Sequence, residues 1–424
     1  MKKVLLAGTA IAGVALMASP AKADLKLDLG GYFRGYAVYA DNDEDTSTSS
    51  YDELRTFQFK KDAEVHFTGE TTTDMGLTVG IHAEMKLLSD DLGGYAGNGN
   101  VVPTDGGYGD VWYTGRGSSI DESYLYFSGG WGRVNFGQED GAAYLLQVAA
   151  PSADSNVDGL RPTIQGFTSD VWNDSSMSGD WYNPYGYFNT TSNALTNTVL
   201  GYDNADFSKT DRITYLTPKW NGFQAGVSYA PQAGSAVLGN GTWGMDFSDI
   251  NGPYFEHLWE ASARWDGEFQ GFGISVGGGY STASPANEYS TTTYFGSDDL
   301  TTWDAGLNLT WQGFSLGGAY LHSNTGTAAD DADYRVWDVG LGWDNGPWHL
   351  GASWWNGRWE ENVYGDAFQL GDELEIDRYT VGGGYTYGPG MSFRGAVSWA
   401  SVDTGTSADD TDPVQVTLGT DVNF

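Results

Sequence analysis

The side chains best suited to chemistry are scattered along this sequence. The five histidines, His66, His82, His257, His322 and His349, show no metal-ligand spacing. Neither a phosphate-binding Gly-x-x-x-x-Gly-Lys-Ser/Thr loop nor a His-Glu-x-x-His motif occurs. Gly277-Gly278-Gly279 lies inside an alternating segment and reads as close backbone packing. These absences point away from an enzyme. What remains is carboxylate chemistry. Asp41-Asn42-Asp43-Glu44-Asp45 opens like a calcium loop, with Asp41, Asp43 and Asp45 as alternating oxygen donors. Thr46 stands where such a loop needs glycine, and Asp52 where it uses glutamate, so an EF-hand is excluded. A divalent-cation site on a surface loop is the remaining expectation, and no other cofactor is implied.

The balance of charge agrees with that chemistry. Lys and Arg number 20 and Asp and Glu 56, a formal charge of −36. The first 23 residues read as a secretory leader: Lys2 and Lys3, an apolar run from Val4 to Met17, then the small-x-small cleavage site Ala21-Lys22-Ala23. The leader holds three of the 20 basic residues. Cleavage before Asp24 leaves 17 bases against 56 acids, a charge of −39. Nucleic acid is excluded as a partner, and cations are favoured. There is no cysteine, so an exported chain must find its stability elsewhere than in disulfides. No later segment has the roughly 20 apolar residues of a membrane helix. Gly (61), Tyr (26) and Trp (17) are too abundant together for an ordinary globular domain.

The elements that must position these residues are hairpins. In 25–40, Leu25, Leu27, Leu29, Phe33, Ala37 and Tyr39 share one face, and Lys26, Asp28, Arg34 and Tyr36 the other. Period-two alternation of this kind marks β-strands. It recurs in about sixteen segments across residues 24–424, most long enough to cross a bilayer at a barrel's tilt. Tight turns such as Trp220-Asn221-Gly222 and Trp311-Gln312-Gly313 alternate with long polar connections. The expected fold is an all-β, sixteen-stranded antiparallel transmembrane barrel. Its apolar face turns outward, because so wide a lumen cannot be filled by side chains and the reverse face is charged. Strand parity then places Arg34, Lys60, Arg133, Arg212, Arg264, Arg378 and Arg394 on the lumenal face.

Three stretches resemble a known family. Gly132-Arg133-Val134-Asn135-Phe136-Gly137-Gln138-Glu139-Asp140, the run from Asp211 to Pro231, and the alternating ending at Phe424 are similar to the Gram-negative trimeric porins. Within that family they resemble the general porins of alphaproteobacteria. The resemblance implies a homotrimer in the outer membrane, in contact with its lipid and lipopolysaccharide. It makes Phe424 an assembly signal. It also implies a third loop, here about 139–209, folded into the lumen as a size limit.

That loop would oppose acids (Glu139, Asp140, Asp154, Asp158, Asp170, Asp174) to the basic wall, giving a transverse field across a passive, water-filled path for small hydrophilic solutes. The acidic excess predicts cation preference. Three other readings stay open. One is a sugar-specific channel with a stacking track of Trp172, Trp181, Tyr182 and Trp243. The others are an adhesive outer-membrane barrel and a secreted four-bladed propeller.

Overall fold

The computed structural model describes residues 25–41, 56–87, 119–153, 164, 167, 188–189, 194–195, 202–204, 210–232, 255–285, 298–324, 326, 333–360, 373–403 and 412–424. The alternating segments fold as β1 (Lys26–Asp41), β2 (Phe57–Thr72), β3 (Thr78–Lys86), β4 (Ser119–Gly129), β5 (Gly132–Glu139), β6 (Thr210–Leu216), β7 (Phe223–Gln232) and β8 (Phe255–Phe269). They continue as β9 (Phe272–Pro285), β10 (Leu300–Trp311), β11 (Phe314–Ser323), β12 (Tyr334–Asn345), β13 (Trp348–Glu360), β14 (Glu373–Gly388), β15 (Met391–Asp403) and β16 (Val414–Asn423). Each strand pairs antiparallel with its sequence neighbours, and β1 pairs with β16 to close the barrel. Closure leaves no sheet edge, which is how strands satisfy their backbone in a membrane. Among the described residues no helix is long and apolar enough to cross one.

Turn chemistry sets the hairpins. Asn221-Gly222, Gln270-Gly271 and Gln312-Gly313 all have positive φ at both residues, the type I′ geometry that matches the twist of two-residue hairpins. Trp220 and Phe223 exchange both backbone hydrogen bonds across the first of them, at 2.8 and 2.9 Å. β6 ends at Leu216, earlier than the alternation suggests, because Pro218 has no N–H to continue the ladder. At the seam, Gly31 and Phe424 exchange backbone hydrogen bonds of 3.0 Å, with Gly31 at φ +154°.

The outer face is apolar along its length. Leu307, Leu309, Val339, Leu341, Val381 and Leu418 are all well exposed on it. So much contiguous apolar surface fits a lipid contact and no monomeric soluble protein. Aromatic pairs border it at both ends. Toward the short turns stand Phe272–Trp311, Phe314–Trp343 and Trp348–Tyr385, with centroids 5.8, 6.4 and 4.6 Å apart. Toward the long connections stand Tyr229–Trp259, Trp303–Tyr320 and Tyr379–Trp399, at 4.5, 5.0 and 5.5 Å. From Trp303 to Trp311 is eight residues, about 27 Å along the strand and roughly 20 Å once tilted, close to the apolar band of a membrane barrel.

Candidate channel lining

Among the described residues, the interior divides into a covered wall and an open one. The covered wall begins where β5 ends. The chain turns into one helical turn, α1 (Ala142–Leu145), and then runs extended to Ala153. It lies flat on the inner face of the barrel from β7 to β14. Small inward residues make the bed. Gly306 and Gly340 leave room for the carbonyl oxygens of Val148 and Pro151, and Gly277 and Gly279 receive Val148 and Ala143. Hydrogen bonds fix the register. Ser228 Oγ accepts from the Ala142 N–H (2.8 Å), Asn308 Nδ2 donates to the Ala149 carbonyl (2.7 Å), and His349 Nε2 reaches the Ser152 carbonyl (3.2 Å). Ala142, Ala143 and Ala153 have no exposed surface.

Further along the connection, Phe167 and Tyr202 join Ala150 in a buried cluster with Ala319, Leu321, Tyr334, Val336, Trp355, Ile376, Ala400 and Val402. These wall residues point inward. The inner face of β11–β15 is thus apolar at its upper end and is sealed by the connection. Sequence reasoning missed this lid. A signal for it exists, since Ala319-Tyr320-Leu321 and Trp354-Trp355 are apolar on both parities, and a second apolar face needs a cover. Ile164 packs likewise on Tyr36 and Val38 of β1.

The open wall runs along β16 and β1–β5. Its inward side chains include Tyr32, Arg34, Asp62, Glu64, His66, Glu70, His82, Glu84, Glu122, Tyr124, Tyr126 and Arg133. Acids and bases interleave here. Arg34 pairs with Asp62 (3.5 Å) and lies over the Tyr32 ring (4.1 Å). Arg133 donates to Asn135 Oδ1 (2.6 Å) and lies over Tyr126 (4.0 Å). Tyr126 donates to Glu70 (2.8 Å), and Tyr36 to Asp421 (2.8 Å). Rings of Tyr32, His66, His82 and Tyr124 form a ladder across β1–β4, with successive centroids 6.0, 6.1 and 5.3 Å apart.

The seven expected bases all have inward parity, yet they do not form one wall. Arg34, Arg133 and Arg394 border the open side, the last beside Asp421 at 3.6 Å, and Lys60 stands opposite Tyr36. Arg264 is held by Asp266 (2.9 Å) and by the Gln147 carbonyl (3.4 Å). Arg212 and Arg378 need correction as channel-lining residues, being 2% and 1% exposed. Arg212 bonds Glu260 behind Gly141, and Arg378 lies beside Trp355 (6.0 Å) under the lid.

The acids change place too. Glu139 belongs to β5 rather than to the loop, is 2% exposed and accepts from Asn135 Nδ2 (2.6 Å). Asp140 is 4% exposed. Both were expected to face the open lumen, and the flat course of the chain after β5 buries them. The stretch from Gly141 to Ala153 contains no charged residue, so it supplies no pole of a transverse field. Asp154, Asp158, Asp170 and Asp174 lie outside the described residues, as do the aromatics Trp172, Trp181, Tyr182 and Trp243. So do Asp43 and Asp45 of the calcium-like run, while Asp41 closes β1.

Two Gly-x-Ser-x-Gly spellings occur in the chain, Gly273 to Gly277 and Gly313 to Gly317. Ser275 and Ser315 sit within β9 and β11, without the strand-to-helix turn that exposes a nucleophile.

Comparison with known proteins agrees with this architecture. A family model described as Gram-negative porin matches residues 7–405. No curated protein matches the chain. Among solved structures it is similar to an anion-selective porin from Comamonas acidovorans, at 12% identity and TM-score 0.54, over 95% of this chain and 100% of that one. OmpT, an outer membrane protein of Vibrio cholerae solved in a trimer form, aligns at 11% identity and TM-score 0.53 over 94% and 99%. A porin refined at 1.8 Å aligns at 14% identity and TM-score 0.51 over 94% and 100%. At these identities the likeness to the solved structures is one of fold.

Proposed function

Because the chain belongs to the Gram-negative porin family, we propose that it is a passive, cation-preferring general channel that works as a homotrimer. Its family and closed sixteen-stranded barrel make it an outer-membrane diffusion channel. Such a path needs a wet wall and a limit on size, with no bond made or broken. The open wall of β1–β5 supplies the first, and the connection after β5 narrows the lumen from the opposite side. We place export on the leader Met1–Ala23, ahead of a mature chain starting at Asp24.

The observation behind the cation preference is the charge of the chain, in which 56 acids face 20 bases and sum to −36. The Comamonas channel shows that this fold also serves anion-selective proteins, so selectivity must come from lining charge rather than from the barrel. In a planar bilayer with a potassium chloride gradient, the reversal potential is expected to carry the sign for cations, more strongly at low salt. A reversal potential of opposite sign would end the charge reading and leave the fold untouched.

The homotrimer is supported by the family and by the trimer form of the Vibrio cholerae relative. Unboiled protein in mild detergent is expected to migrate and cross-link as three protomers and to fall to one on boiling. A single-protomer band under both conditions would remove the trimer.

A further inference from the structure

We propose that the open wall carries a site for a zinc-class divalent cation, centred on Glu84. Two groups of potential ligands meet there: Glu64, His66 and Glu84, and His82, Glu84 and Glu122. Within each group the ligand atoms all lie within 4.8 Å of one another. Glu84 belongs to both.

The barrel itself assembles the site. On β2, Glu64 and His66 are two residues apart and so share the lumenal face. On β3, His82 and Glu84 do the same. The register sets His66 opposite Glu84, and Glu84 opposite Glu122 of β4. Three adjacent hydrogen-bonded strands hold the backbone, so little ordering is left for a metal to impose.

The distances suit a small ion. His82 Nε2 lies 3.1 Å from Glu84 Oε1 and His66 Nδ1 lies 3.8 Å from the same oxygen, while the other His66 nitrogen, Nε2, meets Glu64 Oε2 at 3.0 Å. Tetrahedral donors at zinc distances stand about 3.4 Å apart. The support around them has the form that metal-binding imidazoles use. Thr68 Oγ1 meets His82 Nδ1 at 2.8 Å, leaving Nε2 directed to Glu84. Tyr32 sets its ring edge-on to His66. Lys86, across from Glu64, reaches toward Asp121 at 3.7 Å.

Ligand type decides the class of ion. Each group sets one imidazole among carboxylates, which favours zinc and its neighbours, whereas calcium and magnesium seek oxygen alone. Glu64 and Glu122 are 5% and 9% exposed, so part of the ligand set is already withdrawn from bulk water. The site faces the lumen, so a bound ion would also change the field that permeating cations meet.

The test is zinc uptake by the folded trimer in detergent. Equilibrium dialysis against zinc chloride is expected to show saturable uptake of about one ion per protomer. Calcium chloride at equal concentration should not compete. His66→Gln/His82→Gln and, separately, Glu84→Gln are each expected to weaken uptake about tenfold or more. Boiling-sensitive gel mobility shows that each variant is folded, and either folded variant alone decides the matter. Zinc should also lower single-channel conductance of the unaltered protein and leave that of the variants unchanged. Three results would overturn the site: no saturable uptake, equal uptake by a folded variant, or full displacement by calcium. Dialysis reads the ion whether or not solutes pass, so failure of this site and failure of the channel reading are separate outcomes.

Discussion

Arg212→Ala is expected to lower the unfolding free energy of the barrel by about 3–5 kcal/mol, because it strands a buried carboxylate. The Arg212 and Glu260 side chains are 1% and 4% exposed and are joined by a direct charge-assisted bond. Gly141 lies between them so tightly that any side chain there would strike both. Without the guanidinium, Glu260 keeps its desolvation cost and loses its main partner. Its other surroundings, Asp140 among them, do not replace a cation. Adding Glu260→Ala to Arg212→Ala should restore more than half of the loss, since removing both members of a buried pair is far less costly than removing one. Urea-induced unfolding in detergent measures both variants. A single-variant loss below about 1 kcal/mol would mean that the pair is solvated and the Gly141 corner open.

Gly340→Val should change the channel more than the barrel. Valine suits a strand. At Gly340, however, the new Cβ would fall on the Pro151 carbonyl, backbone against side chain, with nothing flexible to yield. The segment from Gly141 to Ala153 must then lift toward the open wall. Single-channel conductance is expected to fall on the order of twofold, with a noisier open state, because the segment enters the hydrated path. Gly318→Ala, on the lipid face of the same sheet, provides the comparison and should conduct normally. Equal conductance from both would show that the segment does not border the path.

Both effects rest on contacts between residues far apart in the chain, and this explains what could be read early. Strand positions were legible because alternation is local. In β10, Trp303, Leu307, Leu309 and Trp311 face lipid for the same reason that they alternate with Asp304, Gly306, Asn308 and Thr310. Hairpin turns were legible because Asn221-Gly222 needs positive φ at both residues, and few residue types tolerate that. The lining was legible only as a parity. Arg34 and Arg212 have the same alternation, yet one borders the path and the other is sealed behind Gly141.

The histidines show the same limit. His66 and His82 are 16 residues apart and match no ligand spacing, because such motifs assume one helix or one loop. The hairpin brings Thr68 opposite His82 and His66 opposite Glu84, and a scattered pair becomes a cluster. The i, i+2 pairs Glu64/His66 and His82/Glu84 were visible in the sequence. Their meeting was not, since it depends on register.

The sequence by itself determined the strands, their number, their turns, which face meets lipid and the sign of the total charge. Each follows from a repeat of two residues, a turn of two or a sum over the chain. Only the tertiary structure decided which inward residues meet water. Whether Arg212, Glu139 or Trp355 is open or sealed depends on the chain laid across it, and that chain is anchored by residues such as Ala142 on Ser228 and Ala149 on Asn308, 86 and 159 positions apart. Local pattern carries no information about a cover that arrives from so far away.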